Sequence, residues 1–164
     1  MRMLASGALL GVIAGLAIGR SWRPLAAVQI RWFPLLIGAL LARGIAPFVP
    51  AVAFPLYVFA LTGTAVGAAA NLRLAGGFLV AFGGALNLAV VLLNHGMPVD
   101  AGAVAAAAAS MPTDALHVAV TNGTLLTAFA DVIPVAIAHA VYSVGDVCIA
   151  IGGFLVPFVL LIRR

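Results

Sequence analysis

The side chains able to act as acids, bases or metal ligands are confined to one stretch of the chain. All three histidines and all four acidic residues lie between positions 95 and 146, and none of the eight arginines does. Imidazole and carboxylate groups supply most general acids, general bases and metal ligands in proteins. We therefore predict an outward-facing polar site built from five residues: His95, His117, Asp131, His139 and Asp146.

The spacing of these residues does not specify a reaction. A helix would place His117 and Thr121 on one face, and a second helix would align His139, Ser143 and Asp146 in the same way. The chain contains no HExxH, CxxC or GxSxG motif, so we assign no catalytic residue, metal or cofactor. The alternative role of these groups is helix capping and hydrogen bonding at an interface.

Three polar residues fall where apolar helices would hold them inside a membrane. Counting along the helices puts Arg43 and Asp146 at compatible depths. Asn87 lies in the middle of another apolar run. Ionisable groups at such depths cost about 2.5–3.5 kcal/mol each, so they usually pair or line a pathway. We predict that Arg43 pairs with Asp146 or Asp131 in the bundle interior, and that Asn87 is a second interior polar group.

The composition is that of a protein dissolved in lipid. The chain is 65% hydrophobic and 7% charged, whereas soluble domains are roughly 25% charged. A soluble fold of 164 residues could not bury this much apolar surface. The arginines are scattered at the ends of apolar runs rather than clustered with aromatic residues, which argues against nucleic acid as a partner. The length fits a single integral membrane domain, residues 1–164.

Five apolar runs are predicted to cross the membrane, because the hydrocarbon core requires about 20 residues of helix. Their approximate bounds are 3–19, 33–47, 52–70, 74–93 and 138–162. We interpret the first as a retained helix rather than a secretory signal, since its basic flank follows the apolar run. The predicted fold class is all-α, a polytopic bundle of five transmembrane helices.

The arginines predict the orientation of this bundle. With the N-terminus outside, six of the eight fall on the cytoplasmic side: Arg20, Arg23, Arg31, Arg73, Arg163 and Arg164. Arg2 and Arg43 are the exceptions. Because positive residues favour the cytoplasmic side, we expect a multi-pass protein of the bacterial inner membrane with its C-terminus inside. Trp22 and Trp32 flank the first basic loop, as interfacial aromatic residues do.

This topology leaves residues 94–137 outside the cytoplasm, and a segment of that length should have structure of its own. We predict short helices, two of them capped by Asp100 and Thr113, and a last long helix opened by Pro134. Apolar side chains such as Leu116 and Phe129 indicate that the segment lies on the bundle.

Glycines recur every fourth residue in the first span, at Gly7, Gly11, Gly15 and Gly19. On a helix they form one stripe without side chains, a glycine zipper, which lets a second backbone approach closely. The pattern favours packing against a neighbouring span. The alternatives are oligomerisation and a moving gate.

Three short motifs resemble a known family. They are NHGMPV at residues 94–99, DVIP at 131–134 and SVGD at 143–146, in this order after four predicted spans. His117 and Thr124–Leu125 also match the pattern, whereas His95 departs from it. Over essentially its whole length the chain resembles a family of small bacterial integral membrane proteins of unknown function. The resemblance implies class, topology and site position, and no activity.

Together these features favour a non-enzymatic membrane component, either structural or accessory, or a binder of a small partner at its outer face. Its polar cluster would comprise seven residues: Arg43, Asn87, Asn94, His117, Asp131, Ser143 and Asp146. One alternative is a small transporter or channel-like protein with a polar path through Arg43, Asn87 and Asp146. Another is a membrane enzyme that uses the outer histidines and aspartates. The expected partners are the lipid bilayer and a membrane protein or second copy of this chain.

Overall fold

The computed structural model describes residues 2–19 and 21–162, most of which are helical. The helices are α1 (Arg2–Gly19), α2 (Arg23–Ala27), α3 (Phe33–Ile45), α4 (Ala53–Ala69), α5 (Gly77–Asn94), α6 (Ala101–Ala106) and α7 (Val144–Ile162). Four short strands lie between α5 and α7: β1 (Met97–Val99), β2 (His117–Ala119), β3 (Ile133–Val135) and β4 (Ala140–Tyr142). Short 3-10 turns cover Ala46–Phe48, Pro50–Val52, Thr127–Phe129 and Ala136–Ala138.

All five predicted apolar runs are helical. Within the described ranges, three helical stretches are long and apolar enough to cross a membrane: Pro50–Ala69, Gly77–Asn94 and Val144–Ile162. Met3–Gly19 and Phe33–Phe48 are shorter apolar helices. The bounds agree with the sequence prediction to within about three residues except at the start of α7.

The start of α7 was predicted wrongly. The helix begins at Val144 rather than near residue 138, because β3 and β4 pair as an antiparallel hairpin just before it. Pro134 therefore lies in β3, paired with Val141, and does not open the helix. Between the two strands His139 adopts a left-handed backbone, with φ of 46°.

The long helices pack side by side in the order α1–α7–α5–α4–α3, so that α1 and α3 are the two edges of the layer. Consecutive helices α3, α4 and α5 are joined by short connections and pack as neighbours, which is the usual outcome for sequential elements. A single cavity contacts residues from all five long helices, so the layer curves around it.

The glycine stripe of α1 lies against α7. A Cβ atom at Gly7 would collide with the backbone carbonyl oxygen of Ala150. A Cβ atom at Gly15 would lie 2.8 Å from the Cβ atom of Leu161. The other two glycines of the stripe, Gly11 and Gly19, also face the backbone of α7. In this structure the stripe therefore contributes to packing within one chain, where close approach supplies dispersion contacts.

Two basic loops are tied together at one end of the bundle, which we call the basic end (residues 21–32 and 70–76). The Asn71 side chain donates to the Arg31 carbonyl oxygen at 2.7 Å and accepts from the Arg31 amide at 2.8 Å. Arg73 donates to the carbonyl oxygen of Gln29 at 2.6 Å. Of the other arginines used to predict the orientation, three lie outside the described residues: Arg20, Arg163 and Arg164.

The connecting segment (residues 95–143) packs on the opposite end. Strand β1 pairs in parallel with β2, and Met97 and Leu116 are 2% and 0% exposed in a core with Tyr57 of α4 and Val90 of α5. The predicted placement of this segment on the bundle is confirmed. Asp100 caps α6 as predicted, accepting from the Ala103 amide at 2.7 Å.

The prediction of further short helices in this segment was wrong except for the two 3-10 turns at Thr127–Phe129 and Ala136–Ala138. His117 lies on β2, where it does not share a helical face with Thr121, and Thr113 caps no helix. The alanine run forms helix only to Ala106, and Ala108 then takes a left-handed backbone. The backbone N–H and C=O groups of β2 form hydrogen bonds with β1, so they do not need the partners that a local helix would supply.

Candidate functional site

A cavity of about 620 Å³ lies between the concave side of the helix layer and the connecting segment. Six residues singled out from the sequence line it: Arg43, Asn87, His117, Asp131, His139 and Asp146. They come from three helices and from the connecting segment, so the fold brings together groups that are up to about 100 positions apart. Most of the predicted polar cluster is therefore assembled around one space.

Arg43 enters this cavity from α3 without forming the predicted ion pair. Its guanidinium carbon lies 4.8 Å from the centre of the Tyr57 ring, a cation–π contact. No acidic oxygen in the described part of the chain lies within 4 Å of it. The predicted direct pairing with Asp146 or Asp131 is wrong, because counting along helices fixes the depth of a side chain but not the direction in which it points.

Asp131 is held rigidly at the cavity by its backbone. Its amide donates to the Pro98 carbonyl oxygen at 2.9 Å, and its carbonyl oxygen accepts from the Asp100 amide at 3.1 Å. A bridge to Val99 places it alongside β1. The residue is only 7% exposed, and its Oδ1 atom is buried without a hydrogen-bond partner among the described residues. Leaving such an atom unsatisfied costs about 1–3 kcal/mol.

The environment of Asp131 also changes its acidity. Burial, reinforced by the negative charge of Asp146 and opposed by the positive charge of Arg43, raises the pKa of Asp131 to about 8. Its carboxyl group is therefore mainly protonated at neutral pH. A ligand that presents a positive charge or a strong donor would favour the ionised form instead.

Ser143, Asp146 and Asn87 form a hydrogen-bonded group at the start of α7. The Asp146 amide donates to Ser143 Oγ at 3.0 Å, which makes Ser143 the N-cap of the helix. The Ser143 hydroxyl donates to Asn87 Oδ1 at 2.9 Å, and the Asn87 amide donates to Asp146 Oδ1 at 3.0 Å. A Cβ atom on Gly145 would collide with Asn87 Oδ1. The SVGD motif is thus a cap combined with a docking point for α5.

His117 and Asp114 pair across a turn at the wall of the cavity. His117 Nδ1 lies 2.7 Å from Asp114 Oδ1, and the Leu116 amide donates to the same oxygen at 2.9 Å. Burial alone would raise the pKa of Asp114, but these two hydrogen bonds and the nearby charges hold it below its usual value. His139 also lines the cavity, although it is exposed, with Nδ1 3.2 Å from the Ala108 carbonyl oxygen.

Two residues of the NHGMPV motif lie away from the cavity. The Asn94 side chain donates to the Leu125 carbonyl oxygen and accepts from the Leu125 amide, both at 2.9 Å, and so fixes the connecting segment to α5. His95 has a left-handed backbone at the end of α5, and its ring centre is 5.9 Å from that of Phe54. Both line a separate, smaller depression. Asn94 and His95 therefore belong to helix termination and packing.

Sequence reasoning missed both tyrosines of the chain. Tyr57 and Tyr142 line the cavity, as does Thr64 deeper on α4. Tyr57 offered the same signal as Asn87, a polar group within an apolar run. Tyr142 offered no such signal, because its position at the cavity depends on the β3–β4 hairpin.

Among the described residues, the lining of the cavity stops short of the basic end. Thr64, the lining residue farthest along α4, lies about 16 Å from the first residue of that helix at ~1.5 Å per residue. Among the residues that the structure describes, none from 21–32 or 70–76 lines the cavity. In the part of the chain that the structure describes, no group of three or more His, Cys, Asp or Glu side chains is placed to hold a metal ion. The site is therefore a pocket that lies toward the end of the bundle that carries the connecting segment.

A family model described as "Family of unknown function (DUF5317)" matches residues 16–158, which include every polar residue of the cavity named above. The resemblance drawn from the three short motifs, to a family of unknown function, is confirmed by this match. No curated protein and no solved structure matches the chain.

Proposed function

The chain belongs to this family of unknown function, whose description assigns no activity, and we propose that it is a multi-pass membrane protein that binds a small molecule in its cavity. The proposal treats residues 1–164 as one integral membrane domain. It develops one of the roles expected from the sequence, a binder of a small partner at the outer face.

Five helices would cross the bilayer in this proposal. Three have sufficient length alone. The helix α1 is about 27 Å long and α3 with its 3-10 turn about 25 Å, which approach the ~30 Å hydrocarbon core. Apolar side chains on the two edge helices are exposed, including Leu10 at 58% and Leu41 at 57%. Lipid would cover these faces.

The basic end would face the cytoplasm of a bacterial cell. Arg23, Arg31 and Arg73 share this end, and Trp22 and Trp32 beside them are exposed at 65% and 59%. This arrangement supports an outer N-terminus and an extracytoplasmic connecting segment, in accordance with the distribution of positive charge in membrane proteins. The cavity would then open toward the outside.

The observation that carries the binding proposal is the pair of unmatched polar groups in the cavity. Arg43 has no acidic partner within 4 Å among the described residues, and Asp131 Oδ1 is buried without a hydrogen bond. Buried polar atoms are nearly always satisfied, by protein, water or ligand, and of the two groups this applies to Asp131 Oδ1. Arg43 is half-buried, and its guanidinium N–H groups have no side-chain or backbone acceptor among the described residues. The volume of about 620 Å³ falls within the range of roughly 300–1,000 Å³ typical of small-molecule sites. A purely structural bundle would gain stability by filling this space.

Transport is the second candidate. The three residues of the predicted path, Arg43, Asn87 and Asp146, all line the cavity. A transporter would need a second state in which the region between Thr64 and the basic end opens. In one state of alternating access, a transporter would present a pocket that does not reach the opposite end of the bundle. Binding of a small molecule is therefore common to both candidate functions.

Oligomerisation would require another surface than the glycine stripe. That stripe is covered by α7 within the same chain, which supports the packing interpretation. The bilayer is therefore the one partner that the proposal requires.

Native mass spectrometry after purification in mild detergent tests the binding proposal. We expect a small molecule to remain with the wild-type protein and to be lost from Arg43→Gln. Arg23→Gln is the matched control, because Arg23 is exposed at the basic end, and it should retain the molecule. Thermal unfolding of each variant shows whether the fold is intact. Absence of any bound molecule from the wild type, together with no stabilisation by a broad small-molecule library, would contradict the proposal.

A further inference from the structure

The two unmatched groups of the cavity have opposite ligand requirements. Arg43 offers guanidinium N–H donors and a positive charge, which are satisfied by carboxylate or phosphate oxygens. Asp131 offers a buried carboxyl oxygen without a partner, which is satisfied by an N–H donor, most strongly by an ammonium group. The two side chains line one cavity yet are separated by more than 4 Å. A single molecule placed between them could satisfy both.

The remaining walls of the cavity change in polarity with depth. Arg43, Asp146 and Asp131 lie near the end of the bundle that carries the connecting segment. Farther along the helices the cavity is lined by Ala60 and Leu61 of α4 and by Ile149 of α7, with Thr64 beyond them. The hydroxyl group of Thr64 is already satisfied by the Ala60 carbonyl oxygen at 2.8 Å. The floor therefore favours an apolar group.

We propose that the ligand is a small zwitterion with an apolar substituent: an anionic group bound to Arg43, an ammonium group bound to Asp131, and the apolar part directed toward Leu61 and Ile149. This inference rests on the proposed binding function and adds the chemistry of its ligand. The cation–π contact with Tyr57 positions the guanidinium, and its N–H groups would bind the anion.

This chemistry occurs both in free amino acids with apolar side chains and in the ethanolamine headgroup of a phospholipid. The helices α1 and α3 are the two edges of the layer, and Met3 and Gly44 both line the cavity. A phospholipid would therefore reach the site from the side, between these two edges. Free amino acids would enter past the connecting segment. The two sources are distinguished by separate arms of the experiment.

The first arm uses leucine and two analogues that each lack one charge. Binding is measured by isothermal titration calorimetry on the protein in detergent. Leucine should bind the wild type about tenfold to a hundredfold more tightly than leucinamide, which lacks the anionic group, or N-acetylleucine, which lacks the ammonium group. Arg43→Gln should bind leucine and leucinamide with the same affinity, because the partner of the anionic group is gone. Asp131→Asn should bind leucine and N-acetylleucine with the same affinity, because the partner of the ammonium group is gone. Arg23→Gln should keep the wild-type order.

The second arm uses nanodiscs of phosphatidylethanolamine, with phosphatidylcholine as the matched lipid, because its quaternary ammonium has no N–H donor. If the ligand is the headgroup, phosphatidylethanolamine should raise the thermal unfolding temperature of the wild type and of Arg23→Gln, but not of Asp131→Asn. A response to leucine alone assigns the free zwitterion, and a response to phosphatidylethanolamine alone assigns the lipid.

Two results would overturn the inference. One is no response of the wild type to leucine and none to phosphatidylethanolamine. The other is equal binding of the zwitterion and its singly charged analogues. In either case, a different molecule retained in native mass spectrometry would leave the proposed binding function standing while removing the zwitterion.

Discussion

The hydroxyl of Ser143 donates to the side-chain oxygen of Asn87 at 2.9 Å, which joins the N-cap of α7 to the middle of α5. Ser143 is 0% exposed and Asn87 is 2% exposed, so neither group has water as an alternative partner. The same contact places Asp146, which accepts from Asn87, at the cavity wall. The geometry of the site therefore depends on a helix cap and one interhelical amide.

Removing the hydroxyl should weaken both the cap and the interhelical contact. We expect Ser143→Ala to lower the free energy of unfolding by about 1–3 kcal/mol, because a helix cap is lost and a buried acceptor on Asn87 is left unsatisfied. Thermal unfolding in detergent measures this. The control is Ser6→Ala, on an exposed position of α1, which should change stability by less than about 0.5 kcal/mol. Equal stability of the two variants would show that the contact contributes nothing.

Adding a single methyl group at Gly145 should displace Asn87. A Cβ atom at this position would collide with Asn87 Oδ1 and lie 2.7 Å from the Gly83 carbonyl oxygen. We expect Gly145→Ala to destabilise the protein by about 1–3 kcal/mol through overpacking. Gly44→Ala is the control, since nothing lies within 4 Å of a Cβ there, and it should be neutral or stabilising by up to about 1 kcal/mol. A tolerated Gly145→Ala would contradict the close approach of α5 and α7.

The contact of α1 with α7 is open to the same kind of test. At Gly11 a Cβ atom would collide with the Phe154 carbonyl oxygen and lie 2.9 Å from Pro157 Cγ. Gly11→Val should therefore lower the free energy of unfolding by about 1–3 kcal/mol, which is measured as a lower unfolding temperature. Ala5→Val, on an exposed position of the same helix, should not. If Gly11→Val instead changed only the oligomeric state seen by light scattering, the stripe would serve association between chains.

Stability should depend on pH through Asp131. Its pKa is about 8 in the folded protein and 3.8 as the reference value, so the protonated form stabilises the fold. That contribution is complete below about pH 4, is lost progressively as pH rises from about 4 to 8, and is absent above 8. Asp114 has the opposite sign: its pKa is lowered in the folded protein, so its contribution is lost in acid. We expect Asp131→Asn to be more stable than the wild type at pH 9 and to differ little from it at pH 4, by thermal unfolding. A pH profile identical to the wild type would contradict the buried, unpartnered carboxyl group.

The proposed orientation can be checked in intact cells. In a Cys148→Ala background, single cysteines replace Ser110 in the connecting segment and Gln29 at the basic end, both exposed. A membrane-impermeant maleimide should label the first and not the second, and permeabilised cells should label both. Labelling of the position 29 cysteine in intact cells would reverse the topology.

The helices were predictable because the signal for them is local. An apolar run of about 20 residues identifies a span without reference to any other part of the chain. The connecting segment was not predictable in this way. Strand β2 exists because it pairs with β1, about 20 positions earlier, and each strand has only three residues, too few to show an alternating pattern.

The sequence predicted which residues belong to the candidate site better than it predicted what those residues contact. Arg43, Asn87 and Asp146 were identified because polar groups in apolar runs are costly and therefore informative. Their partners were not, since the sequence does not say which way Arg43 points. The structure places its guanidinium over Tyr57, and Asp146 accepts from Asn87 instead. Asp131 was the alternative partner predicted for Arg43, after Asp146, and its buried Oδ1 atom has no hydrogen-bond partner among the described residues.

The most direct measurement is an experimental structure of the wild-type protein in nanodiscs that contain phosphatidylethanolamine, with leucine added. We expect density that belongs to no residue of the chain between the guanidinium of Arg43 and the carboxyl group of Asp131. A direct ion pair between Arg43 and Asp131 or Asp146, in a cavity filled by the protein's own side chains, would contradict the central claim.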